Sequence, residues 1–400
     1  MTDQQDSFAT PERVALAELA TTFTHREIVP HLQDWEDSGT IPRDLHEAAA
    51  RVGLLGINYP EEVGGTGGDS IDVTVVTEAM LTAGGSGGLF AGLFSHGIAV
   101  PHIIDAAARA RDAVNDSAGT SATAEWLVEE WVRPVLSGEK IAALGVTEPD
   151  GGSDVAALRT RADRDGDDWI INGAKTYITS GARADVVVVA ARIGDPGAAG
   201  VALFAVDTKL PGFEVSGRLA KMGWHCSDTA ELSLVDVRVP NKALLTPEPG
   251  GGFASLARHF AVERLSIATM AYSTAQRCLD LTIEWTRNRE TFGRPLAARQ
   301  VVRHTLVEMY RQVEVARTYT RSVATRNANN EAVLLEAILA KNTAVEACDY
   351  VVDQAVQLHG GMGYIHGTEV ERHYRDSKVL AIGGGATEVM TDLAAKILDL

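Results

Sequence analysis

The sequence predicts an α+β protein, mainly helical, built as a helical domain, then a β domain, then a helical bundle. Three observations carry that prediction. Residues 10–135 and the chain after about 247 place apolar side chains at three- and four-residue spacing. Between about 140 and 245 the period drops to two and β-branched residues dominate. Glycine- and proline-rich punctuation, "EEVGGTGGDS" and "TPEPGGG", separates helices or closes off the β stretch. The changes of period set three domains, 1–138, 139–246 and 247–400.

The first domain reads as the helices "PERVALAELATTFTHREIV", "IPRDLHEAAARVGLL" and "SIDVTVVTEAMLTA". The segment 105–126 is small and polar with poor periodicity, so its middle is expected to be a loop or mobile excursion. In the second domain, "DDWIINGAKTYITSG" places Asn172-Gly173 between two strand-like runs, where a hairpin turn is expected because such turns need positive φ. "ADVVVVAARI", "VALFAV" and "AELSLVDVRVP" follow as strands. In the third, Val302, Leu306, Met309, Val313 and Ala316 form one apolar stripe. "EAVLLEAILAKNTAVEACDYVVDQAVQLHGG" reads as a second long helix, with Gly360-Gly361 as its C-cap. Long helices of this kind pack as a bundle.

Bulk properties narrow the function. Of 400 residues, 54 are acidic and 36 basic, a net charge of −18 that argues against nucleic acid and against an anionic membrane surface. Apolar residues are 45% and charged residues 22%, an ordinary globular composition. Cys226, Cys278 and Cys348 are far apart and form no CxxC, so neither a disulfide framework nor a zinc site is expected. The polar, acidic start "MTDQQDSFATPE" is no signal or transit peptide, and no apolar run is long enough to span a bilayer. A cytoplasmic protein without a membrane span is the expectation.

Five segments stand out. "GVTEPDGGSDVAALRT" combines a glycine turn, including Gly152, with hydroxyls at Thr147 and Ser153, groups suited to a polar ring edge or a carbonyl. It lacks the GKS or GKT of a phosphate loop and the GxGxxG of a dinucleotide site. An Asp/Gly turn between strands explains it equally. The others are "INGAKTYITSGARAD", "KMGWHCSDTAELSLVDVRVP", "NRETFG" and "QLHGGMGY". In this order and spacing, across nearly the whole chain, they resemble the acyl-CoA dehydrogenase family. That family's fold, an N-terminal helical domain, a middle β domain and a C-terminal four-helix bundle, agrees with the periodicity.

The resemblance implies non-covalent FAD between the β domain and the bundle. Thr147, Gly152 and Ser153 fall at flavin-contacting positions, with Ser153 also near the substrate. Tyr177 stands where the family usually has a tryptophan against the flavin, and Thr179 at its flavin-bonding threonine. A strand aromatic packed in the core is the other reading of Tyr177. Arg289 and Gln357 match positions that reach the cofactor of a neighbouring subunit, with Phe292, Gln300 and Gly361 nearby. An arginine fork suits a pyrophosphate, although a solvated charge at a helix end is its plain alternative. Thr387 and Glu388 match positions over the cofactor's remaining polar edge.

Family chemistry needs a carboxylate to take the α-proton of an acyl thioester while the β-hydrogen leaves as hydride to the flavin. Many members carry that glutamate just before the last helix, where this chain has Gly384 in "VLAIGGGATEVM". Members acting on branched or long chains carry it instead on the helix opening the C-terminal domain, as "ERL". Glu263-Arg264-Leu265 matches that motif. Adjacent helix positions point about 100° apart, so Glu263 and Arg264 are not each other's partners. The implied base is Glu263, its pKa lifted by burial. A helix-start glutamate favoured by the macrodipole is the alternative. Arg264 would shape the active-site wall or tie subunits together, and Gly384 would lie against the substrate.

The implied activity is acyl-CoA to trans-2-enoyl-CoA, as in fatty-acid β-oxidation, with electrons passing to an electron-transfer flavoprotein and a homotetramer or dimer as the assembly. An acyl-CoA oxidase or flavin monooxygenase on the same fold, or a non-catalytic paralogue, are the competing readings. Gly383, Gly384 and Gly385 would leave room for a branched or bulky acyl group. Small residues in "GGSGGLFAGLFSHG" would line an acyl tunnel or serve close helix packing.

Overall fold

The computed structural model describes residues 6–112, 118–248 and 250–400. Eight helices come first: α1 (Pro11–Phe23), α2 (Leu32–Ser38), α3 (Asp44–Arg51), α4 (Ser70–Thr82), α5 (Gly87–Leu93), α6 (Val100–Asp112), α7 (Ala118–Leu127) and α8 (Arg133–Leu136). Their starts follow local chemistry. Thr10 caps α1 ahead of Pro11, and Asp69 closes a reciprocal capping box with Asp72 at α4. Helix occupies both sides of the expected 105–126 excursion, because its alanine-rich flanks favour helix more than its weak periodicity suggests. The middle of that segment, 113–117, lies outside the described residues.

Seven strands follow: β1 (Ala142–Gly145), β2 (Arg161–Asp165), β3 (Asp168–Thr179), β4 (Val186–Arg192), β5 (Val201–Asp207), β6 (Phe213–Arg218) and β7 (Thr229–Pro240). They make one sheet in the order β1-β4-β2-β3-β7-β6, with β5 paired to β4. β1 and β4 run parallel, while β3 pairs antiparallel with β2 and with β7. The hairpin expected at Asn172-Gly173 sits elsewhere. β3 runs straight through that dipeptide, and the turn is Gly166-Asp167, with Gly166 at φ +63°. Asn172 instead exchanges hydrogen bonds with Asp236 of β7, and the Cβ that Gly173 lacks would stand 2.4 Å from Thr160 Oγ1. Close approach, not a turn, is what the glycine serves.

The last part is helical apart from the small hairpin of β8 (Glu290–Thr291) and β9 (Arg294–Pro295). α9 (Gly251–Asn288), α10 (Gln300–Ala328) and α11 (Leu334–His359) pack together, followed by α12 (Gly361–Tyr364), α13 (Glu369–Ser377) and α14 (Thr387–Ile397). Met309, Val313 and Ala316 are buried in the bundle core with Leu306 packed against it, and Val302 is buried at the start of the same stripe. The same core includes Leu81 and Phe90 from the first helices. A second cluster joins α6 and α8 to β1, β4 and β5, so the sheet is held between the N-terminal helices and the start of α9. Asp376 of α13 accepts from the Trp224 amide at 2.6 Å and fastens the loop before β7 to the bundle.

Candidate active site

In the β domain, the loop after β1 is riveted to β3. Lys175 is fully buried and donates to Glu148 Oε1 at 2.7 Å and to the Val146 carbonyl at 3.1 Å. Glu148 also accepts from the Arg159 amide at 2.6 Å and the Thr160 amide at 2.9 Å. Burial alone would raise the Glu148 pKa, but Lys175 and these donors hold it well below the carboxylate range. Next to this pair, the Thr176 amide donates to the Thr147 carbonyl at 3.0 Å, and the Thr147 hydroxyl donates to the Thr176 carbonyl. These bonds set Thr147, with Gly152 close by, against the end of β3 that carries Tyr177 and Thr179, forming one lip of the domain.

Tyr177 is the oddity of that lip. Its strand register breaks between Lys175 and Ile178, its φ is +60°, and it is 69% exposed. Left-handed backbone at an aromatic residue is strained, and such strain collects where function needs a side chain aimed in one direction. A core-packed tyrosine is thereby ruled out. Nearby, the amides of Gly152 and Ser153 have no backbone partner among the described residues, and the Ser153 side chain is exposed. An aromatic face next to free N–H donors and hydroxyls suits a planar ring with polar edges, so the residues present fit a flavin.

The second half of the site lies on α9, α11 and the turn before α14. Glu263 stands about three turns inside α9, well beyond the reach of the helix terminus. The macrodipole alternative therefore fails. Glu263 is half-buried in a crowd of protein atoms, as in the wall of a cleft. Burial raises its pKa, with Arg264 and Lys341 pulling the other way. Arg264 is buried, donates from Nε to the Gly384 carbonyl at 3.3 Å, and lies 5.8 Å from the Phe260 ring centre. A side chain at Gly384 would begin 3.9 Å from Glu263 Oε1, so positions 263 and 384 are neighbours in space. It would also stand 2.4 Å from Ile267 Cδ1, at a residue whose φ is +64°. Among the described residues the Gly384 amide has no partner, while its carbonyl is held.

The room expected at the three glycines is smaller than their sequence suggests. Ile267 fills the space beside Gly384, and Met390 stands 2.5 Å from a Cβ at Gly385. Several glycines of 84–97 sit in close packing contacts. Gly87 and Gly88 lie against Trp224, and Gly92 against Ile41 and Ser227, so they permit close helix packing. Thr387 opens α14 and its carbonyl accepts from Asn342, while Glu388 is exposed in the first turn.

Arg289, Phe292, Gln300, Gln357 and Gly361 gather at the far end of the bundle. There Trp285 stacks on His359 with ring centres 5.1 Å apart and donates to the Leu358 carbonyl at 3.2 Å, tying the ends of α9 and α11. Phe292 is 97% exposed at φ +50°, and a Cβ on Gly361 would meet open space. Among the described residues, no hydrogen bond or ion pair joins this group to the β-domain lip.

Three residues of the site escaped the sequence reading: Glu148, Lys175 and Lys341. Lys341 carried the clearest signal, a charge in the core register of α11 beside Ile338, Ala344 and Val345. It is fully buried and donates to the Gly385 carbonyl.

Family models match three successive parts of the chain: the acyl-CoA dehydrogenase N-terminal domain at residues 10–111, middle domain at 143–237 and C-terminal domain at 250–398. The chain is 35% identical over 377 residues to the mitochondrial long-chain specific acyl-CoA dehydrogenase of Rattus norvegicus, covering 94% of this chain and 83% of that protein. It is 33% identical to the probable acyl-CoA dehydrogenase YngJ of Bacillus subtilis, covering 97% and 98% of the two. A crystal structure of a probable acyl-CoA dehydrogenase from Mycobacterium abscessus superposes with a TM-score of 0.91 at 57% identity, covering 98% of this chain and 100% of that one.

Proposed function

The chain belongs to the acyl-CoA dehydrogenase family, and we propose that Glu263 is the base of its reaction. That reaction is the FAD-dependent α,β-dehydrogenation of an acyl-CoA thioester. The observation that carries the proposal is the approach of positions 263 and 384 to within 3.9 Å, with a carboxylate at the first and none at the second.

Glu263 accepts the α-proton on a carboxylate oxygen, and burial lifts its proton affinity toward that of a useful base. The free Gly384 amide, fixed from behind by Arg264 on its carbonyl, donates to the thioester oxygen as negative charge develops there. Ile267 forms the apolar wall beside both. When bound, FAD supplies the acceptor for the β-hydrogen and its electron pair. Thr147, Gly152, Ser153, Tyr177 and Thr179 would hold its ring, with Thr387 and Glu388 over a polar edge.

Arg289, Phe292, Gln300, Gln357 and Gly361 make no bond to that lip among the described residues, and the bare Phe292 suits a surface that another copy covers. They complete the cofactor site of a neighbouring subunit in a homo-oligomer, a tetramer in this reading. An electron-transfer flavoprotein is the onward acceptor, and the location is cytoplasmic. Among the described residues, no helix is long and apolar enough to cross a membrane.

The test is an anaerobic titration of wild type and Glu263→Gln with butyryl-, octanoyl- and palmitoyl-CoA, following the visible absorbance of the flavin. Bleaching in the wild type and none in the variant is expected. Equal bleaching in both would remove Glu263 from the chemistry.

A further inference from the structure

We propose that Lys341 is a positioning residue for proton abstraction: its buried ammonium holds the Gly385 carbonyl, and its charge keeps the Glu263 carboxylate ionised. The inference rests on Glu263 being the base.

A lysine in a core register is expensive unless its charge finds a partner. Ala337, Ile338, Ala344 and Val345 around it on α11 are all buried, so an apolar residue would serve packing better. Lys341 nevertheless has no carboxylate within ion-pair distance among the described residues, and its one hydrogen bond goes to a neutral carbonyl. An ammonium has three donors, so this one is underused by the fold. The fold has another fully buried lysine, Lys175, which is paired with Glu148 at 2.7 Å. Lys341 thus leaves its charge uncancelled in the neighbourhood of Glu263.

The charged groups that act on Glu263 and Lys341 come from three helices. α9 presents Glu263 and Arg264, α11 presents Lys341, and α14 presents Glu388. Arg264 and Lys341 take the carbonyls of successive residues, Gly384 and Gly385, which have φ +64° and +100°. The two cations therefore hold the turn from one side and leave the Gly384 amide free. Burial and the like charge of Arg264 bring Lys341 down to about 8, with Glu263 and Glu388 opposing. It is ionised at neutral pH, and together with Arg264 it opposes the desolvation that raises the Glu263 pKa.

The holoenzyme variants Lys341→Met, Lys341→Gln and Lys341→Arg test this, with Glu263→Gln alongside. The readout is the rate of flavin reduction against pH, using whichever of butyryl-, octanoyl- and palmitoyl-CoA reduces the wild type fastest. Loss of the charge moves the acid limb upward by about one unit. The deficit of Lys341→Met then shrinks as pH rises, and Lys341→Arg returns the limb to its wild-type place. Lys341→Gln keeps a donor for Gly385 without the charge. It shifts the limb as Lys341→Met does, and it decides the matter if Lys341→Met loses its FAD. A rate lowered by one factor at every pH, or an unmoved limb, overturns the role of Lys341 while Glu263→Gln remains inert. A Glu263→Gln variant as fast as wild type removes the base reading instead, and this inference with it.

Discussion

Lys175 and Lys341 are both fully buried, one in each half of the site, and burial brings both down to about 8. Their surroundings differ. Lys175 meets a carboxylate that three donors, itself among them, hold in place, and that carboxylate is pushed toward stronger acidity. Lys341 meets only a carbonyl, and the glutamate in its neighbourhood is pushed toward weaker acidity. The first arrangement locks two charges so that two chain segments stay in register. The second leaves a carboxylate able to gain and lose a proton. Similar burial gives a rivet where partners are complete and a reactive site where they are not.

Substitution at the rivet gives the largest effect on stability. Lys175→Met strands Glu148 as a buried, unpaired charge and costs about 3–5 kcal/mol, read by urea denaturation of the holoprotein. Lys341→Met removes a charge that has no ion partner, and its stability stays within about 1 kcal/mol of wild type. Equal losses in the two variants would break the comparison.

Next comes the attempt to move the base. Gly384→Glu in a Glu263→Gln background does not restore flavin reduction, because the new side chain meets Ile267 at a left-handed backbone position. Backbone strain there costs about 1–3 kcal/mol. Adding Ile267→Ala relieves the clash and recovers part of the rate. Recovery without that third change would show that Ile267 is no barrier.

The smallest effect is one of pH. Glu148 has a folded pKa below its unfolded value of about 4.3. Its contribution is complete above that unfolded value and is lost as pH falls through the folded one. Wild type therefore loses stability on acidification below about pH 4 more steeply than Lys175→Met, whose Glu148 has lost its partner. Parallel acid limbs in the two denaturation series would assign the sensitivity to other groups.

The same contrast explains what was legible in the sequence. Domain order and the buried stripe of α10 follow from periodicity, which is a property of single elements. "ERL" pointed to Glu263 because Gly384 occupied the other base position. The sequence did not show how deep in its helix that glutamate sits, because "GGGF" reads as a loop but forms the first turn of α9. Register was equally hidden. Asn172-Gly173 has the composition of a turn, yet the residues opposite it on β7 make it a continuous strand with a bulge. The outward Tyr177 depends on a second irregularity of the same pairing, which no local pattern encodes. Lys341 was written plainly into an apolar helix, but its meaning came from Gly385 and Glu263, distant in the chain and adjacent in space.

The most direct test of the account follows the α-hydrogen itself. An acyl-CoA with sulfur in place of its β-carbon can lose an α-proton but has no β-hydrogen to transfer. Incubated with the FAD-loaded enzyme in deuterium oxide and read by mass spectrometry, it should gain deuterium at the α-carbon with wild type and not with Glu263→Gln. Exchange by the variant at the wild-type rate would contradict the assignment of Glu263 as the base.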